Sequence, residues 1–179
     1  MKRTVLLSTL LLVVLAAVSS AQAQPAQRTA EHDKLNFLVG QWNSHNVMLP
    51  GPWGAGGQSE GTMSFRWGLG EMWIVYEYEG EMPVYGLYEG LGLLTYSAPE
   101  GKYITYWFDS WGSEAGLYSG QWTEDGKTLY LFRERRWQGQ AIFERLGFAP
   151  NEDGSVTFSI AMSTDGHNYQ ESMISTYTK

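Results

Sequence analysis

The chain has 179 residues, 12 Lys and Arg against 19 Asp and Glu, a formal net charge of −7 at pH 7, and no cysteine. So acidic a chain argues against nucleic acid or an anionic lipid surface as partner, because phosphate binding needs Lys and Arg. The surplus charge serves solubility, and without cysteine there is no disulfide, thiol nucleophile or lipidated cysteine.

The first residues, MKRTVLLSTLLLVVLAAVSSAQA, read as a signal peptide over 1–23, with a basic start, an apolar run from Val5 to Val18 and a small-x-small end at Ala21-Gln22-Ala23. The run of about 14 residues is shorter than the ~20 a spanning helix requires. The expected product is exported, periplasmic or secreted, with no stable membrane anchor after cleavage. The 156 residues that remain suffice for one domain with its own core. Residues 24–29 read as a flexible leader and 30–179 as a single domain.

That domain opens with AEHDKLNFLV, a short helix capped by Thr29, with Glu31 and Asp33 in its first turn and Gly40 at its end. His32 is placed on an exposed turn of it. A strand starts at Trp42, with His45 pointing opposite Trp42 and Ser44. GPWGAGGQ follows as a loop, a flap that brings Trp53 to a barrel mouth. Nine more segments are rich in aromatic and β-branched residues: TMSFRW, EMWIVYEYE, YEGLGLLTYS, KYITYWFDS, GLYSGQWTE, TLYLFRERRW, QAIFERLGFA, SVTFSIAMS and NYQESMISTYTK. SAPEGK, TEDGK, PNEDGS and STDGHN separate several of them with turn chemistry. The spacing predicts an all-β fold of about ten strands, an up-and-down antiparallel β-barrel or a sandwich.

SVTFSIAMS alternates cleanly, with Val156, Phe158, Ile160 and Met162 on one face. Other strands mix polar and aromatic residues on both faces. KYITYWFDS sets Tyr103, Thr105, Trp107 and Asp109 against Ile104, Tyr106, Phe108 and Ser110. A partly polar inner face is what a cavity wall requires; a tyrosine-rich outer surface is the alternative.

The short helix followed by Gly40-Gln41-Trp42 resembles the start of lipocalin-like (calycin) barrels, in which the tryptophan packs across one end and the helix helps shut it. The resemblance implies that Phe37, Leu38, Gly40 and Trp42 close the barrel. FLVGQW, SEGTMSFRW, EYEG and YEGLGLLTYS followed by KYITYWFDS resemble, in that order, a bacterial family of exported proteins, the domain of unknown function 1579. This implies the barrel and brings no reaction or ligand. The nitrobindin-like haem barrels begin similarly and ligate iron through a histidine in the C-terminal strand. NYQESMISTYTK has none, and His167 lies in the turn before it.

No nucleophile elbow, phosphate loop or three-histidine metal site is legible, so no catalytic residue, metal or cofactor is expected. The charges inside strands are the remaining signal: Glu77, Asp109, Arg133, Glu144 and Arg145. Turned inward, they must be paired. An Arg–carboxylate pair can orient a polar head group while Trp67, Trp107 and Tyr76 cover an apolar body. The expected ligand site is therefore Trp67, Tyr76, Glu77, Trp107, Asp109, Arg133 and Glu144, taking a small hydrophobic or amphipathic molecule. The alternatives are an enzyme using Glu77 and Asp109 as acid and base, and an interaction module with an aromatic outer face.

Overall fold

The structure is a computed structural model that describes residues 27–51, 54–83 and 86–179. The signal peptide and Trp53 of the glycine-rich loop lie outside the described residues. Two short turns precede ten strands: α1 (Ala30–Asp33) and a 3₁₀ turn (Asn36–Leu38). The strands are β1 (Gly40–Met48), β2 (Gly57–Gly68), β3 (Trp73–Met82), β4 (Gly86–Ser97), β5 (Lys102–Asp109), β6 (Gly116–Trp122), β7 (Leu129–Trp137), β8 (Gln140–Pro150), β9 (Val156–Ser163) and β10 (Gln170–Thr178). Each pairs antiparallel with its neighbours in sequence, and β1 pairs with β10 from Asn43↔Thr178 to Met48↔Met173. The sheet is thus the closed, up-and-down, lipocalin-like barrel that the strand spacing and the Gly-x-Trp opening predict. Closure leaves no sheet edge to template aggregation.

Local chemistry explains the joints. Gln138 and Gly139 have φ of 50° and 83°, the pair of positive values that suits a two-residue turn to the twist of β7 and β8. In the STDGHN turn Asp165 accepts the backbone N–H groups of His167 and Asn168, both at 2.8 Å. These bonds hold its carboxyl well below the usual carboxylate range.

The N-terminal segment departs from expectation in two ways. The helix over 30–39 is broken, because Leu35 and Leu38 both drop fully buried into the barrel end and a 3₁₀ turn places them there. The Leu38 carbonyl, orphaned at the turn's end, accepts the Trp42 indole N–H at 2.7 Å. The second departure is His32, which is 1% exposed rather than on a solvent face. Its Nδ1 accepts the Thr29 N–H at 3.1 Å, so Nε2 carries the proton and faces the Thr95 hydroxyl at 3.4 Å.

This end of the barrel is solid. Trp42, Ile74, Leu94, Leu129 and Leu131 join Leu35 and Leu38 in the core. Phe37 is half-buried against Trp122, ring centres 5.7 Å apart. Gly40, with φ of 143°, carries the chain from the 3₁₀ turn into β1, and the Lys179 ammonium lies 4.8 Å over the Trp42 ring. Arg28, from the expected leader, is held here too: it meets Asp33 at 2.7 Å and lies 4.0 Å over the Trp67 ring.

Candidate ligand cavity

Beyond the plug the interior is not filled. Strand alternation sends Tyr76 and Tyr78 of β3, Tyr88 of β4, Trp107 and Asp109 of β5, and Tyr118 of β6 inward. Glu144 and Leu146 of β8, Phe158, Ile160 and Met162 of β9, and Met173, Ser175 and Tyr177 of β10 complete most of the wall. The cavity they line has a volume of about 190 Å³.

Two glycines of GLYEGLGLL shape the aromatic wall. They face inward, and each leaves its place to a ring. A Cβ on Gly92 would lie 2.0 Å from Tyr76 Cζ, and one on Gly90 would lie 2.0 Å from Trp107 Cζ2. Tyr76 sits opposite Gly92 from β3 and Trp107 opposite it from β5. The two rings stack over it with centres 5.3 Å apart, and Phe65 continues the stack on Tyr76 at 5.2 Å. These glycines serve ring packing.

Polar groups in the wall are mostly satisfied, as burial demands. Tyr76 shares a 2.6 Å hydrogen bond with Thr105. Asn46 accepts the Ser44 and Ser175 hydroxyls, both at 2.7 Å, and donates to the Tyr78 oxygen at 2.9 Å. Trp107 Nε1 donates to Tyr88 at 2.9 Å. Asp109 accepts the Trp111 N–H at 3.0 Å.

The charged group in the wall is built around Glu144, whose side chain is 8% exposed. It pairs with Arg135 through Nε and accepts the Tyr118 hydroxyl at 2.7 Å; Arg133 Nη1 stands 3.9 Å away. Gly116 makes room for Arg133, since a Cβ there would meet Nη1 at 2.8 Å. Burial and the adjacent carboxylate push the Tyr118 phenol up, so it remains protonated and donates. Two guanidinium groups thus neutralise one buried carboxylate.

Of the residues singled out from sequence, Tyr76, Trp107, Asp109 and Glu144 meet in the wall, and Arg133 backs Glu144. Glu77 does not join them. It is exposed on the outer face, 3.7 Å from Arg66, because Tyr76 and Tyr78 point inward and consecutive strand residues face opposite ways. The acid–base pair of Glu77 with Asp109 therefore has no common cavity. Trp67 faces inward at the plugged end instead, donating its indole N–H to Asn36 at 2.9 Å. Arg145 points outward, paired with Glu171 at 2.7 Å and 4.5 Å over Tyr130. Sequence reading missed Arg135, Tyr118, Asn46 and Tyr177. Counting by twos from Arg133 gives Arg135, and from Trp42 gives Asn46.

The sequence matches over residues 27–179 the family described as "Protein of unknown function (DUF1579)". Among solved structures, that of Rv2717c from M. tuberculosis is similar, with a TM-score of 0.60 at 14% identity over 86% of this chain and 99% of that one. At that identity the likeness is one of fold. No curated protein matches the sequence.

Proposed function

The chain belongs to the DUF1579 family of unknown function, and on that premise we propose that it is an exported binding protein holding a compact, mainly apolar molecule inside its barrel. The observation that carries the reading is the cavity of about 190 Å³, walled chiefly by rings and methionines. A dry cavity of ~150 Å³ holds benzene, whereas drug-sized ligands occupy ~300–1,000 Å³. The volume thus supports a ligand of about one ring, smaller than a fatty acid. Met63, Met82, Met162 and Met173 in the wall add adaptability, because an unbranched thioether repacks at low cost.

Export rests on the N-terminal sequence, and among the described residues no helix is long and apolar enough to cross a membrane. Native mass spectrometry of protein collected from the periplasm or medium tests both parts. The reading predicts a chain beginning near Gln24 and a small organic adduct released on denaturation. A chain retained in the cytoplasm with its first 23 residues would defeat the export part; failure of every ring-sized probe to bind would defeat the cavity part.

An interaction role has one observation in its favour. Leu91, Phe108, Leu117 and Phe132 are 41–50% exposed on the outer face of four adjacent strands, β4 to β7. Light scattering at rising concentration tests it, and a monomer throughout would count against self-association.

A further inference from the structure

Five tyrosines line the cavity, and four have hydroxyl partners: Tyr76 with Thr105, Tyr78 with Asn46, Tyr88 with Trp107 and Tyr118 with Glu144. The fifth, Tyr177, is 2% exposed, and its hydroxyl has no hydrogen bond among the described residues. A buried donor without a partner is costly and rarely retained. Among the described residues, the unpaired side-chain atoms that protein seals off completely are Trp122 Nε1, Arg145 Nε and Glu171 Oε2. The Tyr177 oxygen is not among them, so it opens onto the cavity its side chain lines.

The surroundings restrict what answers it. Burial holds the phenol well above its ordinary pKa, with the nearby Tyr76 and Tyr78 adding to the effect, so Tyr177 offers a proton and calls for an acceptor. Its ring stacks on Phe158 at 5.9 Å and packs against Phe65 at 6.3 Å, and flat walls select a flat ligand. With Glu144 neutralised by its arginines, the Asp109 carboxylate in the same wall opposes an anion. We propose that Tyr177 is the polar anchor of the cavity, donating a hydrogen bond to the carbonyl oxygen of a neutral, one-ring aromatic ligand. This rests on the reading of the barrel as a binding protein and adds the chemical class of the ligand.

The test compares acetophenone with α-methylstyrene, which has the same shape with C=CH₂ in place of C=O. Both are titrated calorimetrically into the mature protein and its Tyr177→Phe variant, each refolded from denaturant to strip any resident ligand. Removing one neutral hydrogen bond changes the preference for the ketone over the alkene by about tenfold. The proposal expects the affinity ratio to fall by that factor in the variant while α-methylstyrene binding holds. It also expects the stripped variant to melt no lower than wild type, because no native bond is lost. An unchanged ratio overturns the assignment of Tyr177 and leaves the cavity reading intact. A lowered melting temperature likewise overturns it, since the hydroxyl would then have a structural partner. If neither compound binds wild type, the cavity reading fails and this proposal with it.

Discussion

Gly92→Ala tests the construction of the aromatic wall. The added Cβ would lie 2.0 Å from Tyr76 Cζ and 2.2 Å from Cε1, whereas carbon atoms rest at ~3.5–4.0 Å. The ring must therefore retreat by roughly 1.5–2 Å. It has little freedom to do so. Phe65 and Trp107 stack on it at 5.2 and 5.3 Å, and its hydroxyl is held by Thr105. Overpacking costs about 1–3 kcal/mol, and loss of the Thr105 bond adds about 1 kcal/mol. The expected destabilisation is roughly 2–4 kcal/mol, a fall in Tm of about 5–15 °C for a domain of this size. Urea and thermal unfolding followed by circular dichroism measure it. Gly112→Ala is the control, because the nearest atom to a Cβ there is 3.9 Å away, and it should stay within about 0.5 kcal/mol of wild type. A Gly92→Ala protein as stable as that control would refute the ring-over-glycine account.

Other expectations follow from the same packing. Trp42→Phe leaves the buried Leu38 carbonyl without its donor and should cost about 1–3 kcal/mol in urea unfolding. Glu144→Gln strands the half-buried Arg133 and Arg135 beside a neutral amide; discounted for their 20% and 27% exposure, the loss should be about 1–3 kcal/mol. Burial holds the His32 pKa below 6.5, with Arg28 adding to the depression. Between 6.5 and that lower value the unfolded chain binds a proton the folded chain refuses, so stability is fully present above pH 6.5 and falls as pH drops through the window. In denaturation curves taken across this range, His32→Gln should flatten the dependence. Met162→Trp, which thrusts an indole into the cavity, should abolish binding of ring-sized probes in titration calorimetry while the barrel's circular dichroism persists.

Much of the architecture was legible because its signals are local. Asp-Gly and Glu-Gly turns, aromatic-rich segments at regular spacing and Gly40-Gln41-Trp42 each act over a few residues. The strand faces were readable wherever one face was plainly apolar, as from Val156 to Met162. They were not readable in β3, where Tyr76 and Glu77 both carry a polar atom and only packing decides which turns inward. The structure settles it through Gly92, whose missing side chain accepts the Tyr76 ring from the neighbouring strand. That contact is set by register, which no single segment encodes. His32 was misplaced for a similar reason. A histidine in a first helical turn usually meets solvent, and its burial depends on Thr95, 63 residues away. Tyr177 escaped notice because nothing local marks a tyrosine whose hydroxyl lacks a partner.

The central claim is that the barrel keeps a usable space of about one ring, and a size series measures this most directly. Benzene, n-butylbenzene and dodecanoate are titrated calorimetrically into protein refolded from denaturant. With a cavity of about 190 Å³, benzene should bind with a stoichiometry of one, butylbenzene more weakly, and dodecanoate not at all. Dodecanoate binding more tightly than benzene, or no binding by any of the three, would contradict the account.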